Sequence, residues 1–315
     1  MRAIVKILGV SVLATMLSGC FVIKVNLAPE AQPLEEQVIS GTGRDRIVLM
    51  DISGVITSED STSAFGSGRQ PGMVAVVREQ LDRARKDKNV RAVVIRINSP
   101  GGGVTASDML YHEIRRYRNE TGVPVIAHFT DTGTSGAYYT ALAADRITAQ
   151  PTTITGSIGV IMIRVDATGL MEKIGVHAQE IVSGPEKAMG SPFRSMTAEE
   201  KKIFQDMIDS MYGRFVSVVA EERKMEPARV RKLADGRIYT SAEAKEAGLI
   251  DGIGYLDDAL NQAKSLAKIS QATVVTYVRP GDYRPTIYSL NMNLFTVNLG
   301  ELASPGTKFT YLWMP

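Results

Sequence analysis

Three glycine-rich segments of this 315-residue chain carry the residue types of a serine hydrolase. Ser135 follows an apolar run, Lys187 lies in a loop rich in glycine and proline, and Gly101–Gly103 ends another apolar run. A serine hydroxyl is a weak nucleophile at neutral pH and needs a base to remove its proton. The three segments therefore predict a nucleophile, a base and an oxyanion hole.

Ser135 is well placed for attack on a carbonyl. It follows Gly133 at the end of a strand pattern and opens a helical pattern. Backbone N–H groups at a helix N-terminus lack helical partners and favour negative charge, so the N–H of Gly136 could face an oxyanion. The alternative is an ordinary N-cap serine, whose hydroxyl satisfies the first turn of the helix.

Gly101, Gly102 and Gly103 offer a second set of backbone donors. Glycine lets the main chain approach a ligand closely, and two N–H groups aimed at one oxygen form an oxyanion hole worth about 3 kcal/mol of barrier per donor. The alternative is a tight turn into the next helix. The segment is not a phosphate loop, because no Gly-Lys-Ser/Thr follows it.

Lys187 is the candidate general base. A lysine side chain titrates near 10.4 in water and is protonated at pH 7, and burial lowers that value until the amine becomes a usable base. Its neighbours are uncharged apart from Glu186. An exposed loop lysine without a chemical role is the alternative.

Strand and helix patterns alternate around these segments. Apolar runs at 47–50, 92–97 and 123–130 predict strands, and a stripe of apolar residues from Met73 to Ala84 predicts a helix. A second helix is predicted with Met109, Leu110, Ile114 and Tyr117 on one face. Such alternation predicts an α/β fold with a mostly parallel sheet.

The second half predicts more helix. Runs at 158–165 and 177–182 are strand-like, and helices are predicted at 197–222, 227–234, 241–247 and 255–266. The first of these begins with a capping-box pattern, Thr197 to Glu200. The last residues include the apolar segment 308–314, which we expect to be a docked edge strand or a segment that covers a groove.

The N-terminus has the pattern of an export signal. Arg2 and Lys6 precede an apolar core of about 11 residues, which is shorter than the ~20 residues that a spanning helix needs. Leu17-Ser18-Gly19-Cys20 then resembles a bacterial lipobox, in which the cysteine is lipidated. The alternative is an uncleaved anchor that continues through residues 21–23. Either one predicts a protein of the bacterial cell envelope, tethered to a membrane and facing away from the cytoplasm.

Composition and the predicted domain boundaries fit that location. A net charge of +2 gives no general affinity for nucleic acid, and a single cysteine excludes an internal disulfide. Three scattered histidines give no metal-binding pattern, and no cofactor is predicted. We expect a signal peptide over 1–19, a tether over 20–44, a peptidase domain over 45–270 and a C-terminal tail over 271–315.

Taken in order along the chain, the motifs resemble the signal peptide peptidase A family. The motifs are the 98–102 segment, 135–139, 155–160, Lys187 with 190–194, and 234–237. The resemblance implies a Clp protease/crotonase fold of repeated ββα units. It also implies Ser135 as nucleophile, Lys187 as general base, and the N–H groups of Gly102 and Gly136 as the oxyanion hole. Ser157 matches the family serine that orients the lysine amine.

The resemblance also implies assembly. The family builds its dyad across two similar units, and this chain holds one, so Ser135 of one subunit should face Lys187 of a neighbour in a ring-like homo-oligomer. Ala137 and Thr134 depart modestly from the family pattern. Expected substrates are unstructured apolar peptides, such as remnant signal peptides.

Three other functions stay open on sequence alone. A serine–histidine triad would have to use His112, His128 or His177, none of which lies in a glycine-rich turn. A crotonase-type acyl-CoA enzyme would need cytosolic CoA, which an export signal argues against. An inactive lipid-anchored scaffold of the same fold is the alternative without catalysis.

Overall fold

The computed structural model describes residues 33–62, 69–280, 284, 286–289 and 309–313. The strands are β1 (Glu35–Gly41), β2 (Arg46–Ser53), β3 (Ser61–Thr62), β4 (Arg69–Gln70), β5 (Val90–Ser99), β6 (Gly101–Gly103), β7 (Val125–Thr134), β8 (Arg146–Ala149), β9 (Ile154–Gly156), β10 (Ile161–Met162), β11 (Ile238–Thr240), β12 (Gly252–Ile253), β13 (Thr273–Val278) and β14 (Phe309–Leu312).

The helices are α1 (Met73–Lys86), α2 (Val104–Thr121), α3 (Gly136–Ala141), α4 (Thr168–Ile174), α5 (Ala198–Arg223), α6 (Pro227–Leu233), α7 (Ser241–Ala247) and α8 (Leu256–Leu266). A 3₁₀ turn covers Pro185–Ala188. The last four helices follow residue 197, so the prediction of a more helical C-terminal half is confirmed.

The described residues form a nine-stranded main sheet. Its central path runs β1-β13-β2-β5-β7-β8-β12, with β9 and β11 branching from β7. The strands from β13 to β12 along this path pair in parallel, and β1 pairs antiparallel with β13. The predicted α/β fold with a mostly parallel sheet is therefore confirmed.

Strand β5 is buried on both faces, which explains its almost continuous apolar sequence. Ala92 and Val94 face a cluster with Leu256 and Leu260 of α8. The alternate residues belong to the larger core on the other side, which includes α1, α2, α3 and α5. The carboxyl ends of β5 and β7 reach the edge where Gly101 and Ser135 follow.

Helix α5 is the longest helix described, with 26 residues. Its predicted capping box is present: Thr197 accepts from the N–H of Glu200, and Glu200 accepts from the N–H of Thr197. Two bonds thereby satisfy two backbone donors at this terminus. The cap fixes the start of the helix that carries Met211 and Phe215 toward the sheet edge.

The predicted tether and tail differ from the structure at their inner ends. Residues 35–41 of the expected 20–44 tether form β1, and residues 273–278 of the expected 271–315 tail form β13. The two strands pair with each other, and β13 pairs with β2. Because pairing between segments so far apart is not encoded in local composition, the sequence underestimated the folded domain.

Two strand predictions in the second half were wrong. Only Ile161–Met162 forms a strand within 158–165, and no strand forms in 177–182. Met109 was also assigned to the buried face of α2, yet its side chain is 43% exposed. These apolar residues lie at the surface, although their sequence pattern is the one that buried strands and helices have.

No helix within the described ranges is long and apolar enough to cross a membrane. The predicted signal peptide and Cys20 lie outside the described residues, as do residues 290–308. The segment itself is described from Phe309 to Trp313, and it forms β14 as a docked strand.

Candidate active site

Ser135 lies at a sharp turn between β7 and α3. Its backbone has φ 53° and ψ −117°, a rarely populated conformation for a residue with a side chain. It occupies the N-cap position of α3, but its hydroxyl makes no capping bond. The alternative of an ordinary N-cap serine therefore does not apply. The residue is 1% exposed.

Neighbouring strands hold this turn in place. The N–H of Ser135 donates to the carbonyl of Gly156 at 2.7 Å, and the N–H of Ser157 donates to the carbonyl of Arg237 at 2.7 Å. Strand β9 thereby brings Ser157 close to the nucleophile turn. Ser157 is 9% exposed and also has a positive φ, 49°. Ser157 directly follows Gly156, the residue that accepts from the N–H of Ser135.

Gly102 presents its polar groups toward β14. Its neighbours use the opposite edge: the carbonyl of Gly101 accepts from Ile56 at 2.8 Å, and the N–H of Gly103 donates to Ile56 at 2.9 Å. Because polar groups alternate along a strand, the N–H of Gly102 faces the other side, where Tyr311 lies directly opposite in antiparallel register.

The carbonyl oxygen of Tyr311 lies between the two predicted oxyanion donors. Trp313 donates to the carbonyl of Pro100 at 2.9 Å, so the alternating ladder makes Tyr311 and Gly102 a hydrogen-bonded pair. A Cβ atom added to Gly101 would lie 2.0 Å from Tyr311 O and 2.7 Å from the nitrogen of Gly136. A peptide carbonyl therefore occupies the position that an oxyanion hole at Gly102 and Gly136 would serve.

Glycine is required at these positions by contact and by conformation. Gly101 has φ +98°, which side chains rarely adopt, and Gly136 lies so close to Ser107 that an added Cβ would stand 2.3 Å from its Oγ. Ser107 itself donates to the carbonyl of Gly103 at 2.9 Å. The donors are therefore held by a hydrogen-bonded backbone that leaves no space for a methyl group.

Strand β14 is the middle strand of a three-stranded sheet, between β6 and β10. Tyr311 pairs with Gly102, and Thr310 pairs with Ile161 on the other side. A chain segment thus lies across the glycine donors as an added strand. The tail segment is docked as a strand, but the prediction of an edge strand was wrong, because β14 has a partner on each side; the same strand covers the glycine donors.

The Tyr311 side chain enters an aromatic pocket. Its ring stacks on Tyr139 at 5.3 Å between centroids and tilts against Phe215 at 4.7 Å. Its hydroxyl donates to the carbonyl of Met211 at 3.0 Å, and burial raises its pKa. Tyr139 is held in turn by a 2.5 Å hydrogen bond to Asp108. The sequence carries no local signal for this pocket, because its members are far apart along the chain.

Lys187 is not brought to Ser135 within the chain that the structure describes. Its side chain is exposed in the 3₁₀ turn Pro185–Ala188, and no hydrogen bond joins it to Ser135. Within one chain, the described residues bring Ser135 together with Gly102, Gly136 and the segment of Ser157, and Lys187 is not among them.

The histidines do not complete a triad. His112 and His177 are exposed, and His128 is buried in β7 with Nδ1 hydrogen-bonded to Thr148 at 2.9 Å. Burial lowers the pKa of His128 to about 4. No group of three or more potential metal ligands occurs among the described residues.

The sequence model of Peptidase family S49 matches residues 117–270. An Enterococcus faecium protein, provisionally named signal peptide peptidase SppA, is 38% identical over 243 residues, covering 77% of this chain and 70% of its own length. The chloroplastic serine protease SPPA of Arabidopsis thaliana is 34% identical over 254 residues, covering 78% of this chain and 36% of its own length. A solved structure of a ClpP1 mutant from Listeria monocytogenes aligns with a TM-score of 0.43 and 21% identity, covering 68% of this chain and 94% of that one.

With a match of this identity over most of the Enterococcus protein, the chain belongs to peptidase family S49 and is a serine peptidase.

Proposed function

We propose that this protein is a membrane-anchored endopeptidase that uses Ser135 and Lys187 as a catalytic dyad. Ser135 attacks the peptide carbonyl while the amine of Lys187 takes its proton and later delivers it to the leaving amine. Water then hydrolyses the acyl-enzyme by the reverse route. Ser157 orients the amine, and the N–H groups of Gly102 and Gly136 stabilise the oxyanion.

One observation carries this proposal: a peptide strand lies across the predicted donors with a carbonyl between them. Strand β14 pairs with β6 and β10, and the Tyr311 carbonyl lies beside Gly102 and Gly136. A substrate would bind in the same way, as an extended strand added between two others. Folded proteins cannot present such a strand, which supports unstructured peptides as substrates.

The base is supplied by a neighbouring subunit in this proposal. Ser135 is buried with no lysine partner in the described residues, whereas Lys187 is exposed. The sequence around Lys187 contains several exposed apolar side chains, among them Ile181 at 95% and Leu170 at 64% exposure. Such a surface is suited to burial against a second copy, which would also exclude water from the amine.

The anchor and the substrates complete the proposal. The lipobox-like pattern ending at Cys20 supports a lipid anchor in the bacterial cell envelope. The aromatic pocket around Tyr311 supports apolar residues beside the cut. Remnant signal peptides are apolar, unstructured and confined to membranes, so they fit both features.

The test is complementation between inactive variants. The full chain in detergent is purified as wild type, Ser135→Ala and Lys187→Ala, and each is assayed on a fluorogenic apolar peptide. We expect both variants to lose activity by roughly 10⁴-fold or more, as dyad members do. The two variants are then mixed and reassembled, with oligomer mass measured in every sample.

A shared dyad predicts that the mixture recovers activity. Where a Lys187→Ala subunit supplies Ser135 and a Ser135→Ala subunit supplies Lys187, one interface is intact. A dyad within one chain predicts no recovery, because every chain then lacks one member. Full activity of Lys187→Ala alone would reject the lysine as base altogether.

A further inference from the structure

The turn that carries Lys187 lies in a stretch with no buried side chain. Residues 159–199 are all at least partly exposed. Inside the 3₁₀ turn, Lys187 donates its N–H to Gly184 at 3.1 Å and Met189 donates to Glu186 at 3.1 Å. These local bonds shape the turn but do not attach it to the rest of the molecule. Something else must set its position.

Arg194 provides that attachment. Its Nη2 donates to the carbonyl of Ala188, the residue after Lys187, at 3.2 Å. The same guanidinium forms a fork with Glu200, with Nη1 at 3.0 Å from Oε2 and Nη2 bonded to Oε1. Its Nε donates to Glu180 at 3.1 Å. A planar fork with this many fixed acceptors holds one geometry.

Glu200 is anchored more firmly than its partner. Its side chain is 1% exposed, while that of Arg194 is 32% exposed. Glu200 also closes the capping box of α5 by accepting from the N–H of Thr197 at 2.8 Å. The Arg194 guanidinium holds the pKa of Glu200 below its usual value. Through Arg194, the lysine turn is therefore attached to the first turn of a 26-residue helix.

That helix also forms the wall of the peptide groove, through Met211 and Phe215. A second arginine, Arg164, connects the lysine loop to the strand on the other border of the groove. Arg164 follows β10, the strand beside β14, and its Nη2 donates to the carbonyl of Ser191 at 2.6 Å and to that of Arg194. Both elements that border the groove are thus tied to the loop that holds the base.

We infer that Arg194 is a positioning residue for the general base, acting through its fork with Glu200. It fixes the turn of Lys187 to the start of α5, so that the amine reaches the neighbouring subunit's serine at a set distance. The inference rests on the proposed function, since it requires Lys187 to be the base. Arg194 does not itself touch the reacting atoms.

The test is Arg194→Ala in the full chain. Displacing a catalytic group by about 1 Å costs on the order of 100-fold in rate, so kcat should fall by about that factor. KM for the peptide should not change, because the groove is made of other residues. Labelling of Ser135 by a fluorophosphonate should slow in parallel. Added guanidinium ion, well below denaturing concentrations, should restore part of kcat by refilling the site beside Glu200.

Lys202→Ala is the matched control. It removes an ion pair on the same helix, with Asp206 at 2.6 Å, but this pair is exposed and does not contact the turn. We expect wild-type kcat and KM. Oligomer mass and thermal unfolding are recorded for each variant, so that a defect in assembly is seen as such.

Glu200→Gln keeps the size of the side chain but removes its charge and one of the two acceptor oxygens, so that only one arm of the fork can form. We expect a smaller fall in kcat, again with constant KM, and this variant decides the matter if Arg194→Ala does not assemble. A wild-type kcat in an assembled variant, or a loss confined to KM, would overturn the inference while leaving the dyad intact. Activity in Lys187→Ala would instead overturn the proposed function and the inference together.

Discussion

Ser135 and Lys187 lie in two regions of opposite character. Ser135, Ser157 and the glycine donors are buried and held by strand pairing, side by side with a packed aromatic pocket. Residues 159–199 contain no buried side chain and expose nine large apolar residues, namely Ile161, Ile163, Val165, Leu170, Ile174, Val176, Ile181, Val182 and Phe193. The Ser135 region, the completed half of the proposed site, is assembled within one chain, and the Lys187 region, its incomplete half, has exposed apolar residues suited to an interface.

This difference separates two requirements of catalysis. Oxyanion donors act well when they are fixed before the substrate arrives, and a buried backbone achieves that within one chain. A lysine base needs an environment without water, which an exposed turn acquires only when another surface covers it.

Apart from the dyad variants, Gly101→Ala should have the largest effect, because it alters the completed half. The added Cβ would lie 2.0 Å from the position of the Tyr311 carbonyl and 2.7 Å from the Gly136 nitrogen, at a φ of +98°. We expect kcat/KM to fall by about 10²- to 10³-fold, the range for losing an oxyanion donor. The measurement is peptide hydrolysis by the assembled protein.

The control for that variant is Gly213→Ala. An added Cβ at Gly213 meets no atom within 4 Å, and the residue lies inside α5. A helical Gly→Ala change should stabilise the fold by about 0.5–1 kcal/mol and leave kcat/KM unchanged. Equal losses in both variants would show that the glycine effect is not specific to the donors.

Ile181→Asp tests the incomplete half. Its side chain is 95% exposed in the single chain, and burying an isoleucine contributes about 1.5–3 kcal/mol. If a neighbour covers it, a carboxylate there should weaken assembly by more than tenfold, with a matching loss of activity per chain. Sedimentation over a range of protein concentrations gives the assembly constant.

Val38→Asp is its control, since Val38 is 58% exposed on β1 at the far edge of the sheet. We expect no change in assembly or activity from this substitution. If Ile181→Asp also assembled like wild type, residues near 181 would lie outside the interface, and the lysine would need another cover.

Truncation after Pro305 should improve apparent peptide binding, in contrast to the losses expected above. The removed residues include β14, which fills the groove between β6 and β10. A groove filled nine-tenths of the time by the chain's own segment would weaken apparent peptide affinity about tenfold, so KM should fall by that factor on truncation. Tyr311→Ala, which keeps the strand but empties the aromatic pocket, should give a smaller fall.

Truncated protein is compared with wild type for oligomer mass and for unfolding. Tyr311 is packed against Tyr139 and Phe215, so some loss of stability is expected. A rise in KM, rather than a fall, would mean that β14 helps to build the groove and does not compete for it.

The sequence predicted the central strands and the capped helix because their signals are local. Residues 92–97 are continuously apolar, and Thr197 and Glu200 cap a helix three residues apart. The turn at Ser135 was found for the same reason, from one serine between small residues after a strand. Each of these features is decided within a single window of the chain.

The remaining features depend on contacts between distant residues. Strand β14 pairs with β6 across some two hundred positions of sequence. The apolar residues within 177–182 are compatible both with a buried strand and with an exposed surface, and the structure has them exposed. The attachment of Lys187 through Arg194 and Glu200 is likewise visible only in three dimensions. Sequence could name the lysine, but not what holds it or what covers it.

The buried His128 of β7 should make the stability of the fold depend on pH. His128 is fully buried, and burial lowers its pKa from 6.5 to about 4; Asp258 opposes this shift and Arg96 adds to it. Between pH 6.5 and 4 the unfolded chain binds a proton at this residue that the folded chain does not. The free energy of unfolding therefore falls as pH falls through this window, by about 3 kcal/mol in total.

His128→Asn should flatten that dependence while lowering stability at pH 7, since it leaves a smaller side chain in the same space. The comparison is the slope of unfolding free energy against pH between 4 and 6.5, from urea titrations of wild type, His128→Asn and the exposed His112→Gln. Carboxylates that also titrate at low pH contribute equally to all three, so the difference in slope isolates His128. An unchanged slope in His128→Asn would mean that this histidine accepts a proton in the folded state, and that the packing around β7 is looser than its burial implies.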